Sequence, residues 1–123
     1  MNIIIKTKNL EISEQLKNVI NHKIGGLKKF LNKFKKDKNV SFDTFVYVGK
    51  ETTHHKKGDI FETEVKIVLH DKNLVAKSHG ESLLKTITKV KKEIEREIRK
   101  YKTKIIELPR RKYRKSIQLS KGI

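Results

Sequence analysis

The chain has no cysteine, no tryptophan and one proline, Pro109. The missing thiols exclude a disulfide scaffold, a thiol nucleophile and a zinc site built on thiolates. Apolar runs reach four residues at most, as in Phe45–Val48, far short of a membrane-spanning helix. The opening Met1–Lys6 has neither the charged first region nor the long apolar region of a secretory signal. Acid is also scarce, with 14 Asp+Glu against 31 Lys+Arg in 123 residues, a formal net charge of +17. These absences leave a cytoplasmic protein with one small core as the expectation. The surplus of positive charge needs a counter-charge, and nucleic acid is the partner class that supplies it.

The surplus is uneven. Residues 1–50 hold a net +7, residues 51–80 none, residues 81–108 a net +4 and residues 109–123 a net +6. Asn2–Lys6 is Ile-rich and reads as a strand. Ser13 is a good N-cap, with Glu14 in the first turn. Leu16, Val19, Ile20, Ile24, Leu27, Phe30, Leu31 and Phe34 recur at steps of three and four, which predicts a helix over about 13–35. Gly25-Gly26 lies inside it, so a bend is expected there, with a close approach to the sheet as its reason. Strands are predicted over 40–50, 60–70 and 74–78, with Gly80 ending the last. A second helix is predicted over 81–104, its apolar stripe formed by Leu83, Leu84, Ile87, Val90, Ile94, Ile98 and Tyr101.

The order is therefore β-α-β-β-β-α. It predicts an α+β two-layer sandwich, a four-stranded sheet with two helices packed on one face, resembling a double-stranded RNA-binding domain. Strands two to four join as antiparallel hairpins, and strand one is placed to pair in parallel. The domain is expected over 1–108. Residues 109–123, acid-free and poor in apolar side chains, are expected to form a basic flexible tail.

Catalytic patterns are missing. Phosphate-loop, dinucleotide and nucleophile-elbow motifs do not occur, and His54-His55 in a loop has no second ligand cluster beside it. Glu62 and Glu64 sit among Lys66 and Lys77, so cross-strand ion pairs are the expectation for them. The reading is of a non-enzyme with no cofactor and no metal. The basic faces carry more information. Lys85, Lys89, Lys92, Arg96, Arg99 and Lys100 form a stripe of roughly 25 Å along the second helix, opposite its apolar side. Glu93 and Glu97 lie one step around. Lys17, Lys23, Lys28, Lys29 and Lys33 lie off the apolar stripe of the first helix. Such stripes can track a phosphate backbone. In the tail, Arg110, Arg111 and Arg114 add guanidinium forks around Tyr113, the aromatic best placed to stack on a base.

Several segments together resemble the ribosome hibernation factor family, the ribosome-associated inhibitor and hibernation-promoting proteins. They are Asn2-Ile3-Ile4-Ile5-Lys6-Thr7, Leu10-Glu11-Ile12-Ser13, Lys23 to Phe30, Phe61 to Ile67 and Leu74 to Lys77. The strongest is Glu93-Ile94-Glu95-Arg96-Glu97-Ile98-Arg99-Lys100-Tyr101-Lys102, close to the family's K-L-E-R-Q-L-R-K-Y-K. Thr88 and Lys92 stand where that family usually has Asp, and both changes make the helix more basic. The resemblance covers about residues 1–104 and is to the short forms. It implies binding to the small ribosomal subunit in the mRNA and tRNA channel, and so translation inhibition on idle ribosomes, with ribosome dimerisation left open. It further implies a monomer off the ribosome, with no membrane or small-molecule partner. A general structured-RNA-binding module and an adaptor for an acidic protein partner are the alternatives. The candidate contact residues are Lys23, Lys28, Lys29, Lys85, Lys89, Lys92, Arg96, Arg99, Lys100, Arg110, Arg111 and Arg114.

Overall fold

The structure, a computed structural model, describes residues 2–32, 42–52, 58–69 and 72–104. Its elements run β1 (Asn2–Lys8), α1 (Glu14–Gly25), α2 (Lys28–Asn32), β2 (Asp43–Thr52), β3 (Asp59–Val68), β4 (Asn73–Gly80) and α3 (Leu83–Lys102). The strands lie in the order β1-β2-β3-β4. β1 pairs in parallel with β2 across the helical crossover, with Ile4 beside Phe45. The β2–β3 and β3–β4 pairs are antiparallel, with Val46 opposite Val65 and Val65 opposite Ala76. This is the α+β sandwich that the pattern of apolar residues predicts.

Period two decides which face is covered. Thr44, Val46 and Val48 of β2, Thr63, Val65 and Ile67 of β3, and Leu74 and Ala76 of β4 are buried. They meet Ile20, Ile24, Leu27 and Leu31 from α1 and α2 with the intervening turn, and Ile87, Val90, Ile94 and Ile98 from α3, in one core. Both helical segments thus cover one face. α3 lies over β3 and β4, and α1 lies alongside it toward β1. The opposite face carries Ile4, Lys6, Phe45, Tyr47, Glu62, Glu64, Lys66, Val75 and Lys77, and no described element covers it.

Three expectations change. The first helix is two segments, because the chain turns through Gly26 and Leu27 before resuming at Lys28. Close approach to the sheet does not explain the glycines: a Cβ on Gly25 would meet nothing within 4 Å. Strand β4 continues two residues past Ser78 and ends at Gly80, and Ser82 then caps α3, its side chain accepting from the Lys85 backbone N–H at 3.4 Å. Leu84 leaves the apolar stripe of α3 and is 54% exposed, while Thr86 is buried in the stripe. Thr86 can take that place because its hydroxyl donates to the Leu83 carbonyl at 2.7 Å and lies 2.9 Å from the Thr63 hydroxyl.

Candidate nucleic-acid interface

Charge follows secondary structure. The described helices hold twelve Lys or Arg against four Asp or Glu, a net of +8. The strands hold five against five, a net of zero. Because both long helices lie on one side of the sheet, the excess occupies one side of the molecule. The open sheet face is close to neutral and internally paired. Lys77 binds Glu62 at 2.8 Å, diagonally across β3 and β4, and His79 lies 4.0 Å from the same carboxylate. The hydrogen bond from Lys77 to Glu62, helped by the attraction of that carboxylate, raises the ammonium pKa above its ordinary 10.5.

The helix positions α3 by its apolar repeat. Burying Ile87, Val90, Ile94 and Ile98 turns Lys85, Lys89, Lys92, Arg96, Arg99 and Lys100 to solvent, all exposed. Lys100 reaches Glu97 at 3.5 Å. The other five have no carboxylate within 4.0 Å among the described residues. Glu97 therefore blunts one end of the stripe, as its position predicts, while Glu93 pairs with none of them. Lys85 and Lys89 also line a cleft of about 410 Å³ at the start of α3, together with His79, Gly80, Glu81, Ser82 and Thr86.

The first-helix candidates join this surface. Lys28 and Lys29 are exposed at the start of α2. Lys23 is half-buried and spans to α3, its ammonium donating to the Thr88 hydroxyl at 3.3 Å. The two basic sets are thus neighbours, which sequence spacing alone could state only conditionally. Lys91 lies off the exposed row, so the stripe spacing does not point to it. It faces the α1 junction, with its Nζ 3.4 Å from the point a Cβ on Gly26 would occupy. Only the pairing of the helices reveals that position. Lys33, Arg110, Arg111, Tyr113, Arg114, His54 and His55 lie outside the described residues.

Unpaired ammonium and guanidinium groups along a rigid helix can neutralise a row of phosphates and release condensed counterions. Nothing in that work requires a nucleophile, an acid or a metal. Among the described residues, no three His, Asp or Glu side chains gather as a metal site would require. No described helix is long and apolar enough to cross a membrane.

Residues 3–106 match the profile of the family described as sigma 54 modulation protein / S30EA ribosomal protein. The chain is similar to the ribosome hibernation promotion factor of Bacillus subtilis (strain 168), with 30% identity over 105 residues. The alignment covers 85% of this chain and 50% of that relative, so the chain spans about half its length. Among solved structures it resembles the N-terminal domain of Protein Y from Thermus thermophilus, with a TM-score of 0.63 at 16% identity, covering 82% of this chain and 99% of that one. It also resembles a ribosomal subunit interface protein from Coxiella burnetii, with a TM-score of 0.59 at 15% identity, covering 84% and 99% respectively. At those identities the likeness is one of fold.

Proposed function

The chain belongs to the sigma 54 modulation protein / S30EA ribosomal protein family, and from that premise we propose that it is a ribosome hibernation factor. In this reading it binds the small ribosomal subunit in the mRNA and tRNA channel and blocks translation on idle ribosomes. The observation that carries the reading is the segregation of charge, a net +8 on the helices against zero on the strands. A wedge with one phosphate-seeking side fits a channel walled by folded RNA. Blocking is steric, so the groups that matter are contacts: Lys23, Lys28, Lys29, Lys85, Lys89, Lys92, Arg96, Arg99 and Lys100. Residues 1–108 form the binding domain in this account. Residues 109–123 act as a basic arm whose Arg110, Arg111 and Arg114 add phosphate contacts. Sequence readout is unnecessary, because ribosomal RNA presents a fixed shape.

The test is co-sedimentation of the purified chain with ribosomes through a sucrose gradient, with excess unrelated structured RNA as competitor. The chain is expected to travel with the small subunit or the whole ribosome despite the competitor. The triple variant Lys89→Glu, Lys92→Glu, Arg96→Glu is expected to fold and to remain at the top of the gradient. Stripping of the wild type by the competitor would mean a general RNA binder. Retention of the triple variant would remove the α3 face from the contact.

A further inference from the structure

The open sheet face is not uniform. Its charged residues gather toward one end, where Lys77 and His79 meet Glu62. The other end carries an apolar band. Ile4 lies beside Phe45, Phe45 opposite Lys66 and Lys66 opposite Val75, one row across all four strands. Val68 adds to it from the next row, between Asp43 and Asn73. The row spans three strand spacings, about 14 Å. Ile4 is 41% and Val75 48% exposed, two of the four exposed large apolar side chains among the described residues. Tyr47, one row along from Phe45, is turned away from the band, with its hydroxyl 2.9 Å from the point a Cβ on Gly49 would occupy. The ring rests on backbone that only glycine leaves bare, and it does not roof the band.

A second copy of the chain fits the band poorly. It offers on the order of 100–200 Å², against about 800 Å² a side in a stable pair, and each copy brings a net +17. The chain itself supplies a better occupant. α3 begins over the charged end of the sheet, where Thr86 lies 2.9 Å from the Thr63 hydroxyl and against Gly80. Lying back over β3 and β4, its 20 residues run about 30 Å. They release the chain at the other end, where Val68 pairs with Asn73, which is the end of the apolar band. The way round to the open face is one layer spacing of about 10 Å and a further layer of side chains. Ile105, Ile106 and Leu108 follow Lys104 too closely for it, since four residues reach at most about 13 Å. The uncharged stretch Ser116-Ile117-Gln118-Leu119-Ser120 lies far enough along, because the 13 residues from Lys104 to Ile117 reach up to about 43 Å. In an extended segment Ile117 and Leu119 fall on one side, about 7 Å apart, the spacing of successive rows on the sheet.

We propose that Ile117 and Leu119 dock on the apolar band of Ile4, Phe45, Val68 and Val75, so that the open face of the sheet is the resting place of the chain's own C-terminal segment. Such docking is independent of what the helical side binds. It replaces an arm free along its length by one held at both ends, with Arg110, Arg111 and Arg114 in the loop between.

The chain has no cysteine, so Gln118→Cys accepts a single nitroxide label between the two anchors, on the other side of the segment. The full isotope-labelled chain is read by NMR with the nitroxide active and then reduced. The amide signals of Ile4, Phe45 and Val75 are expected to lose most of their intensity while the nitroxide is active. Those of Lys85 and Lys89, on the helical side at the opposite end of the sheet, are expected to keep theirs. Adding Ile117→Ser and Leu119→Ser is expected to restore the lost signals and to leave the rest of the spectrum as in the wild type. Loss spread evenly over both faces, or no loss at the band, refutes the docking. Loss that survives the serine pair refutes it as well. An isotope-labelled wild-type chain mixed with an unlabelled, nitroxide-bearing one is expected to show no loss at the band. Loss there in the mixture means that a second copy is the occupant, and overturns the proposal.

Discussion

Thr44 and Thr86 face the same core and differ in what their hydroxyls touch. Thr86 shares a hydrogen bond with Thr63 and donates to Leu83. Thr44 Oγ1 is buried with no hydrogen-bond partner among the described residues. A buried hydroxyl without a partner keeps its desolvation cost. Thr44→Val should therefore stabilise the fold by about 1 kcal/mol, read as a higher unfolding temperature. Thr86→Val should destabilise it, because the Thr63 hydroxyl loses its partner. A lower melting point for Thr44→Val would mean that the hydroxyl is satisfied. The strand alternation already puts residue 44 on the inner face, beside Val46 and Val48. It does not tell which of the inward threonines finds a partner, because that depends on where α3 crosses the sheet.

Each element matches its sequence pattern where one constraint dominates. In β3, inward Thr63, Val65 and Ile67 alternate with Glu62, Glu64 and Lys66, and the register follows without ambiguity. In α3 the repeat predicts the buried face but misplaces Leu84, which is exposed, while Thr86, about 200° around the helix from it, is buried with its hydroxyl satisfied. In the first helix the glycine pair predicts the interruption, while the expected close approach to the sheet is not found, since a Cβ on Gly25 would meet nothing within 4 Å. The expected pairing of Glu62 and Glu64 with lysine is realised by Glu62 and Lys77, across the β3–β4 ladder. That pair gives the sheet a pH signature. The folded state raises the Lys77 pKa, so its contribution is fully present below the unfolded lysine value and is lost as pH rises through the folded one. Lys77 is half exposed, so solvent screening keeps the contribution small. Lys77→Met should melt slightly below the wild type at neutral pH, and the gap should close above the lysine range. A gap that persists there would assign it to packing of the methylene stem.

At the scale of the whole molecule, one arrangement governs the account. Helices carrying the charge excess cover one side of a sheet whose own charges cancel. The candidate contacts on α3 could be read from spacing, because a helix with one apolar stripe must turn the remainder outward. The junction of Lys23, Lys91 and Gly26 could not, because it exists only where two helices distant in sequence meet. The measurement that tests the central claim most directly compares lysine acetylation of the free chain and of the chain bound to small ribosomal subunits, residue by residue, by mass spectrometry. The open sheet face provides the internal control through Lys6, Lys66 and Lys77. The account predicts strong protection of Lys28, Lys29, Lys85, Lys89 and Lys92 on binding, with Lys6, Lys66 and Lys77 modified as in the free chain. Protection of the sheet-face lysines with the helix lysines still reactive would contradict it.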